Sequence, residues 1–146
     1  MSLGAPRQYG LTQNHKHLKE MVKISGLLNA PAFCPIVSDF YSGMEVTVPI
    51  FKSDLKNGFD IEKIKEIYKN KYNGPLVKYE ESLNENGFIS AGLLSGKDSM
   101  IISVFGNEDR IILTARYDNL GKGASGAAVE CLNIVLGNDD TKGLEI

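Results

Sequence analysis

Apolar residues recur at helical spacing from His17 to about Leu28, where Leu18, Met21, Val22, Ile24, Leu27 and Leu28 predict a first helix. Ala30-Pro31 ends it, because the residue before proline avoids the helical region. Cys34 to Val37 reads as a short strand. Met44 to Phe51 reads as a longer one, with Met44, Val46, Val48 and Ile50 on one face. Pro49 cannot donate to a ladder, so this strand belongs at an edge or a bulge. Asp60 is an N-cap for a helix running to about Tyr72, in which Ile61, Ile64, Tyr68 and Tyr72 form the stripe to be buried. Asn73-Gly74-Pro75 stops it.

Three further strands are expected at Leu76 to Glu80, Ser99 to Phe105 and Arg110 to Tyr117, the last two joined by Gly106-Asn107-Glu108-Asp109. Phe88 to Leu94 is a weaker strand candidate. A final helix runs to Leu136, with Ala128, Cys131, Leu132 and Val135 as its apolar stripe. Strands adjacent in sequence, with few helices between them, predict an α+β domain: a mostly antiparallel mixed sheet covered by helices.

With 146 residues the chain has room for one domain with its own core. The net charge of −2 and the absence of a dense basic patch speak against nucleic acid as a partner. Lys63, Lys65, Lys69 and Lys71 alternate with Glu62 and Glu66, the pattern of a solvated helix face. No apolar run approaches the ~20 residues that span a membrane, and no signal-peptide core is present. Cys34 and Cys131 form neither a metal spacing nor a disulfide framework, so a cytoplasmic setting and no metal are expected. Residues 1–8, opening Met1-Ser2-Leu3-Gly4-Ala5-Pro6, read as a leader or linker; residues 9–146 read as the domain.

Two segments carry candidate chemistry. His15 and His17 are the only histidines and sit at the start of the first helix. Imidazole titrates nearest neutrality, which makes this pair the candidate for proton transfer. A helix N-terminus favours the neutral imidazole and attracts anions. The bland alternative is a pair of solvated loop residues. The second segment is the glycine-rich start of the last helix, Asp118-Asn119-Leu120-Gly121-Lys122-Gly123-Ala124-Ser125-Gly126. Glycines inside a helix cost roughly 1 kcal/mol each relative to alanine. Their presence implies a close approach by another backbone or a ligand. The segment lacks Gly-Lys-Ser/Thr and does not open a strand–turn–helix unit of a parallel sheet, so it is neither a phosphate-binding loop nor a dinucleotide fingerprint.

Together, His15-Lys16-His17-Leu18-Lys19-Glu20 and the run from Tyr117 to Ala128, with Leu132-Asn133-Ile134-Val135-Leu136-Gly137 and Asp140-Thr141-Lys142-Gly143-Leu144 beyond, resemble the N-acetyl-gamma-glutamyl-phosphate reductases. The matching stretches bracket Tyr9 to Glu145. The resemblance implies the catalytic and dimerisation domain of an NADP-dependent enzyme of arginine biosynthesis, similar to the C-terminal domain of glyceraldehyde-3-phosphate-dehydrogenase-like reductases. Such an enzyme reduces N-acetyl-glutamyl 5-phosphate to the semialdehyde through a cysteine thioester. It implies catalytic roles for His15 and His17, cofactor contacts at Asn119, Gly121, Lys122 and Gly123, and a homo-oligomer formed through the sheet.

The family's Gly-Cys motif is absent. Cys34, in an apolar strand context, and Cys131, on the core stripe of the last helix, read as structural. The chain alone is therefore expected to be inert, with NADP held mainly by a domain not in this sequence and packed closely against the glycine-rich helix. An aspartate-semialdehyde dehydrogenase domain and a non-catalytic α+β dimerisation module are the alternatives.

Overall fold

The computed structural model describes residues 4–82 and 85–146. Of the leader expected at residues 1–8, residues 1–3 lie outside them. The chain divides after Tyr41 into two compact units.

The first unit holds strand β1 (Arg7–Gln8), helix α1 (Lys16–Ser25) and strand β2 (Ile36–Val37), with β1 and β2 paired antiparallel. Arg7 and Gln8, assigned to the leader by sequence, are thus paired in a ladder. Only Ile36 and Val37 of the strand expected from Cys34 are in it, because Pro35 cannot donate and instead offers its carbonyl to the Tyr9 N–H at 3.0 Å. Helix α1 is shorter than its apolar pattern predicts. Gly26 takes a left-handed φ of 71° and its N–H caps the Val22 carbonyl, so the helix closes before Leu27 and Leu28. Leu18 is its buried anchor, whereas Ile24 and Leu28 are exposed.

The second unit contains β3 (Met44–Phe51), α2 (Ile61–Lys71), β4 (Val77–Tyr79), β5 (Met100–Gly106), β6 (Arg110–Tyr117) and α3 (Gly126–Leu136). The four strands form one sheet in the order β3-β6-β5-β4, antiparallel except for the parallel β4–β5 pair. The α+β expectation holds, as does the edge position of β3 implied by Pro49. Phe88 to Leu94 forms no strand, and turns occupy most of it.

Register assigns the two faces. Val48, Leu113 and Val104 lie side by side, as do Ile50 and Ile111, and this apolar face receives α2. Asp60 caps that helix by accepting the Lys63 N–H at 2.8 Å. Ile61 and Ile64 then pack on Val104 and Ile111, with Tyr68, Tyr79, Ile50, Leu55 and Leu113 around them. The lysine-rich side of α2 pairs Lys63 with Glu66 and Lys65 with Glu62 on its surface, as the alternation predicts. The opposite sheet face is polar and nevertheless buried, with Ser103, Thr114 and Arg116 nearly inaccessible. Arg116 is 0% exposed, and its Nη1 donates to Glu85 and to the Ser90 carbonyl, tying the segment after β4 down onto the sheet.

Candidate functional site

In the first unit, both histidines belong to the start of α1. His15 is the N-cap itself: its extended backbone precedes the helix, and its Nδ1 accepts the His17 N–H at 3.3 Å. A ring nitrogen that accepts is unprotonated, so neutral His15 carries its proton on Nε2. The two imidazole centroids are 4.6 Å apart. Phe33 lies 5.1 Å from His15 and 6.2 Å from His17, and Tyr9 lies 6.1 Å from His15. His17 is half-exposed, with Nε2 4.0 Å from a Glu20 carboxylate oxygen one helical turn on. The pair therefore presents one oriented donor, His15 Nε2–H, and one imidazole beside a carboxylate. The spacing of one helical turn puts Glu20 beside His17; Phe33 approaches through the chain reversal between α1 and β2, which leaves no pattern in the sequence, and Tyr9 from the segment before the helix.

The glycine-rich segment belongs to the second unit. A π-helical turn at Gly121–Ser125 leads into α3, so the Ser125 N–H reaches back to the Leu120 carbonyl at 3.1 Å and the Gly123 N–H to the Asp118 carbonyl at 2.8 Å. Asp118 organises this turn. One carboxylate oxygen accepts the Leu120 N–H at 2.6 Å and the Gly121 N–H at 3.0 Å; the other accepts the Ser42 hydroxyl at 2.7 Å and the Gly96 N–H at 2.5 Å. Burial works to raise its pKa, but donation by Gly96, Ser42, Gly121 and Leu120 outweighs that and holds the carboxyl at about 2. Asp118 is therefore a charged structural centre.

The glycines are explained by neighbours in the same unit. A Cβ on Gly121 would stand 2.6 Å from the Lys97 carbonyl oxygen. One on Gly126 would stand 2.7 Å from the Asp98 carboxyl carbon, and one on Gly123 would meet the Tyr117 ring at 3.1 Å. The expectation that these glycines receive a separate domain is corrected on this point: the backbone that comes close is the Lys97–Asp98 segment and the end of β6.

The expected stripe of α3 is also corrected. Gly126 and Asn133 are its buried residues, and Ala128, Cys131, Leu132, Val135 and Leu136 face outward. Asn133 sets that orientation by donating to the Asp140 and Lys142 carbonyls at 3.2 and 2.9 Å. Cys131 and Cys34 are both exposed, and Cys34 lies outside β2, so neither has the buried setting expected for it.

Among the four residues assigned to cofactor contact, Asn119 accepts the Gly43 N–H through Oδ1 at 2.8 Å, leaving its NH2 as a donor. The Lys122 ammonium is paired with Glu130 on α3. Gly121 is enclosed by Lys97 and Asp98, and Gly123 is exposed. The N–H groups of residues 120–123 all have partners inside the chain. This turn is no phosphate cradle.

Residues 3–119 match the family described as semialdehyde dehydrogenase, dimerisation domain. The chain belongs to that family. It is 41% identical over 144 residues to N-acetyl-gamma-glutamyl-phosphate reductase 2 of Nostoc sp. (strain PCC 7120 / SAG 25.82 / UTEX 2576), covering 93% of this chain and 45% of the relative. The protein named N-acetyl-gamma-glutamyl-phosphate reductase in Sinorhizobium medicae (strain WSM419) is 43% identical over 134 residues, 88% of this chain and 43% of its own. Its namesake in Rhizobium meliloti (strain 1021) is 43% identical over 141 residues, 92% and 45% respectively. The chain thus spans a little under half the length of these relatives. The match takes in the histidine pair and ends at Asn119, at the start of the glycine-rich turn. Among the described residues, no helix is long and apolar enough to cross a membrane.

Proposed function

We propose that this domain is the dimerisation and proton-transfer part of an NADP-dependent N-acetyl-gamma-glutamyl-phosphate reductase, an enzyme of arginine biosynthesis. The observation that carries the reading is the oriented histidine pair at the α1 N-terminus, in a chain whose relatives bear that enzyme name. Acyl-phosphate reduction needs a thiolate, hydride, a proton donor and acceptor, and groups that receive the leaving phosphate. NADPH, bound mainly by another part of a longer enzyme, supplies the hydride. The thiolate comes from that other part as well, since neither Cys34, after Phe33, nor Cys131, after Glu130, stands in the Gly-Cys motif.

The histidines supply the proton steps. His15 donates through Nε2–H, the tautomer fixed by the bond it accepts on Nδ1. His17 takes up a proton on Nε2, which faces a Glu20 carboxylate oxygen at 4.0 Å. Asn119, Gly121, Lys122 and Gly123 would line the nucleotide, with the Asn119 NH2 as a side-chain donor and Lys122 held by Glu130.

Self-pairing through the sheet completes the assembly. Met44, Val46 and Val48 occupy the uncovered part of the apolar face at its β3 edge, where a second copy would bury them.

The test is reduction of N-acetyl-glutamyl 5-phosphate by NADPH in the longer enzyme that carries this domain. Turnover there, with little on aspartyl phosphate, supports the reading. The reverse preference assigns the domain to an aspartate-semialdehyde dehydrogenase, and no turnover on either leaves a dimerisation module.

A further inference from the structure

We propose that Gln13 is a positioning residue for His15: its amide seats Phe33 against the imidazole and thereby holds His15 in the Nε2–H tautomer. This rests on the proton-transfer reading above, and three observations carry it.

The first is a two-way clamp. Gln13 Oε1 accepts the Phe33 N–H at 2.8 Å, and Gln13 Nε2 donates to the Phe33 carbonyl at 2.7 Å. The same Nε2 also donates to the Gly10 carbonyl at 3.3 Å. A side-chain amide that engages both backbone groups of one residue fixes that residue's position along and across the clamp, as a strand neighbour would. Residues 13 and 33 are separated by the whole of α1, so the clamp closes the loop that returns the chain to the helix start.

The second is the backbone of Gln13, at φ 53°. A non-glycine residue in the left-handed region is uphill and persists only where its surroundings over-determine it. The clamp accounts for it: the turn that begins at Gly10 closes the Gln13 N–H onto the Gly10 carbonyl at 2.9 Å as the side chain engages Phe33.

The third is what the clamp delivers. The Phe33 ring stands 5.1 Å from the His15 ring and 6.2 Å from the His17 ring, and the Tyr9 ring stands 6.1 Å from His15. An imidazole with Phe33 and Tyr9 packed close to it turns about its χ2 only by displacing a neighbouring ring, which keeps Nδ1 under the His17 N–H. A freely rotating N-cap histidine would exchange both tautomers and both ring faces. Gln13 touches no reacting group in this arrangement and acts only through Phe33.

The experiment reads the tautomer directly, from imidazole 15N shifts of this 146-residue chain across neutral and mildly alkaline pH. The unsubstituted chain should show His15 protonated on Nε2 with an acceptor-type Nδ1. Gln13→Gly adopts the left-handed backbone freely and deletes only the clamp; it should give averaged tautomers at His15. Phe33→Leu keeps the clamp and removes the ring, and should do the same. In the longer reductase, Gln13→Gly should lower kcat roughly ten- to a hundredfold with the nucleotide KM unchanged, because the proton donor is misplaced while binding is not. A loss of fold would appear as collapse of the whole spectrum in one variant, and the other variant then decides. An unchanged His15 tautomer in both Gln13→Gly and Phe33→Leu overturns the proposal. Full activity of the longer enzyme without either histidine overturns the proton-transfer reading instead, and leaves the tautomer result standing by itself.

Discussion

Gly126 and Asp98 stand so close that a Cβ on the glycine would lie 2.7 Å from the aspartate's carboxyl carbon. Asp98 has no room to yield. Its N–H donates to the Glu145 carbonyl at 2.6 Å, and its Oδ2 accepts the Glu145 N–H at 3.0 Å. The start of α3, the loop before β5 and the segment near residue 145 therefore meet at one point where only hydrogen fits. Gly126→Ala should lower stability by about 1–3 kcal/mol through overpacking, which exceeds the roughly 1 kcal/mol that alanine returns in helix propensity. Chemical denaturation checks the sign; a stabilised variant would show that the approach is not tight.

Asp118 makes stability depend on pH with a defined sign. Its carboxyl sits at about 2 in the folded chain against an ordinary 3.8, so the unfolded state binds its proton first. The contribution is complete above about pH 4 and is lost as pH falls toward 2, amounting to ~2 kcal/mol by linkage. Glu85, lowered chiefly by its hydrogen bond from Arg116, adds a loss of the same sign on acidification. Asp118→Asn should flatten the slope of stability between pH 4 and 2. An unaltered slope would mean that the buried carboxylate is not what titrates.

Much of the second unit is legible in its sequence because one periodicity dominates each element. β3 alternates cleanly from Met44 to Phe51 and carries Pro49, so both its span and its edge position follow. α2 has Asp60 at its start and a single apolar stripe. α3 is different: Ala127, Ala128, Val129, Cys131, Leu132, Ile134, Val135 and Leu136 leave it apolar almost all round, and no period selects a buried side. The choice falls to Gly126 and Asn133, through contacts with Asp98, Asp140 and Lys142 that no local pattern encodes. Arg116 was equally hidden, since an arginine in an alternating strand reads as solvent-facing until a segment folds over it. In the first unit the N-cap histidine was visible as a helix start, but its aromatic neighbours were not, because Phe33 comes back across α1.

Hydrogen exchange should follow the strand order. Amides of β5 and of β6, the two inner strands, should be the most protected in the chain. β3 lies at the sheet edge and β1–β2 pairs over only two residues per strand, so both should exchange sooner. Rapid exchange throughout Met100–Gly106 and Arg110–Tyr117 would contradict the sheet described here.

Self-association should depend on the uncovered end of the apolar face. Val48, 48% exposed on β3 beside Leu113, can accept a charge without disturbing α2. Val48→Lys should shift light scattering toward the monomer while leaving the circular dichroism of the fold intact. Unchanged association would place the interface elsewhere, and the outward residues of α3 are then the next surface to substitute.

The role proposed for His15 and His17 is to perform the proton transfers of an acyl-phosphate reduction. The most direct measurement is kcat/KM for N-acetyl-glutamyl 5-phosphate in the longer reductase, with His15→Ala and His17→Ala made separately. The account predicts a loss of ~10²- to 10⁴-fold for at least one of them, the range of a positioned general acid or base, with the fold retained. Values equal to the unsubstituted enzyme for both variants would contradict it.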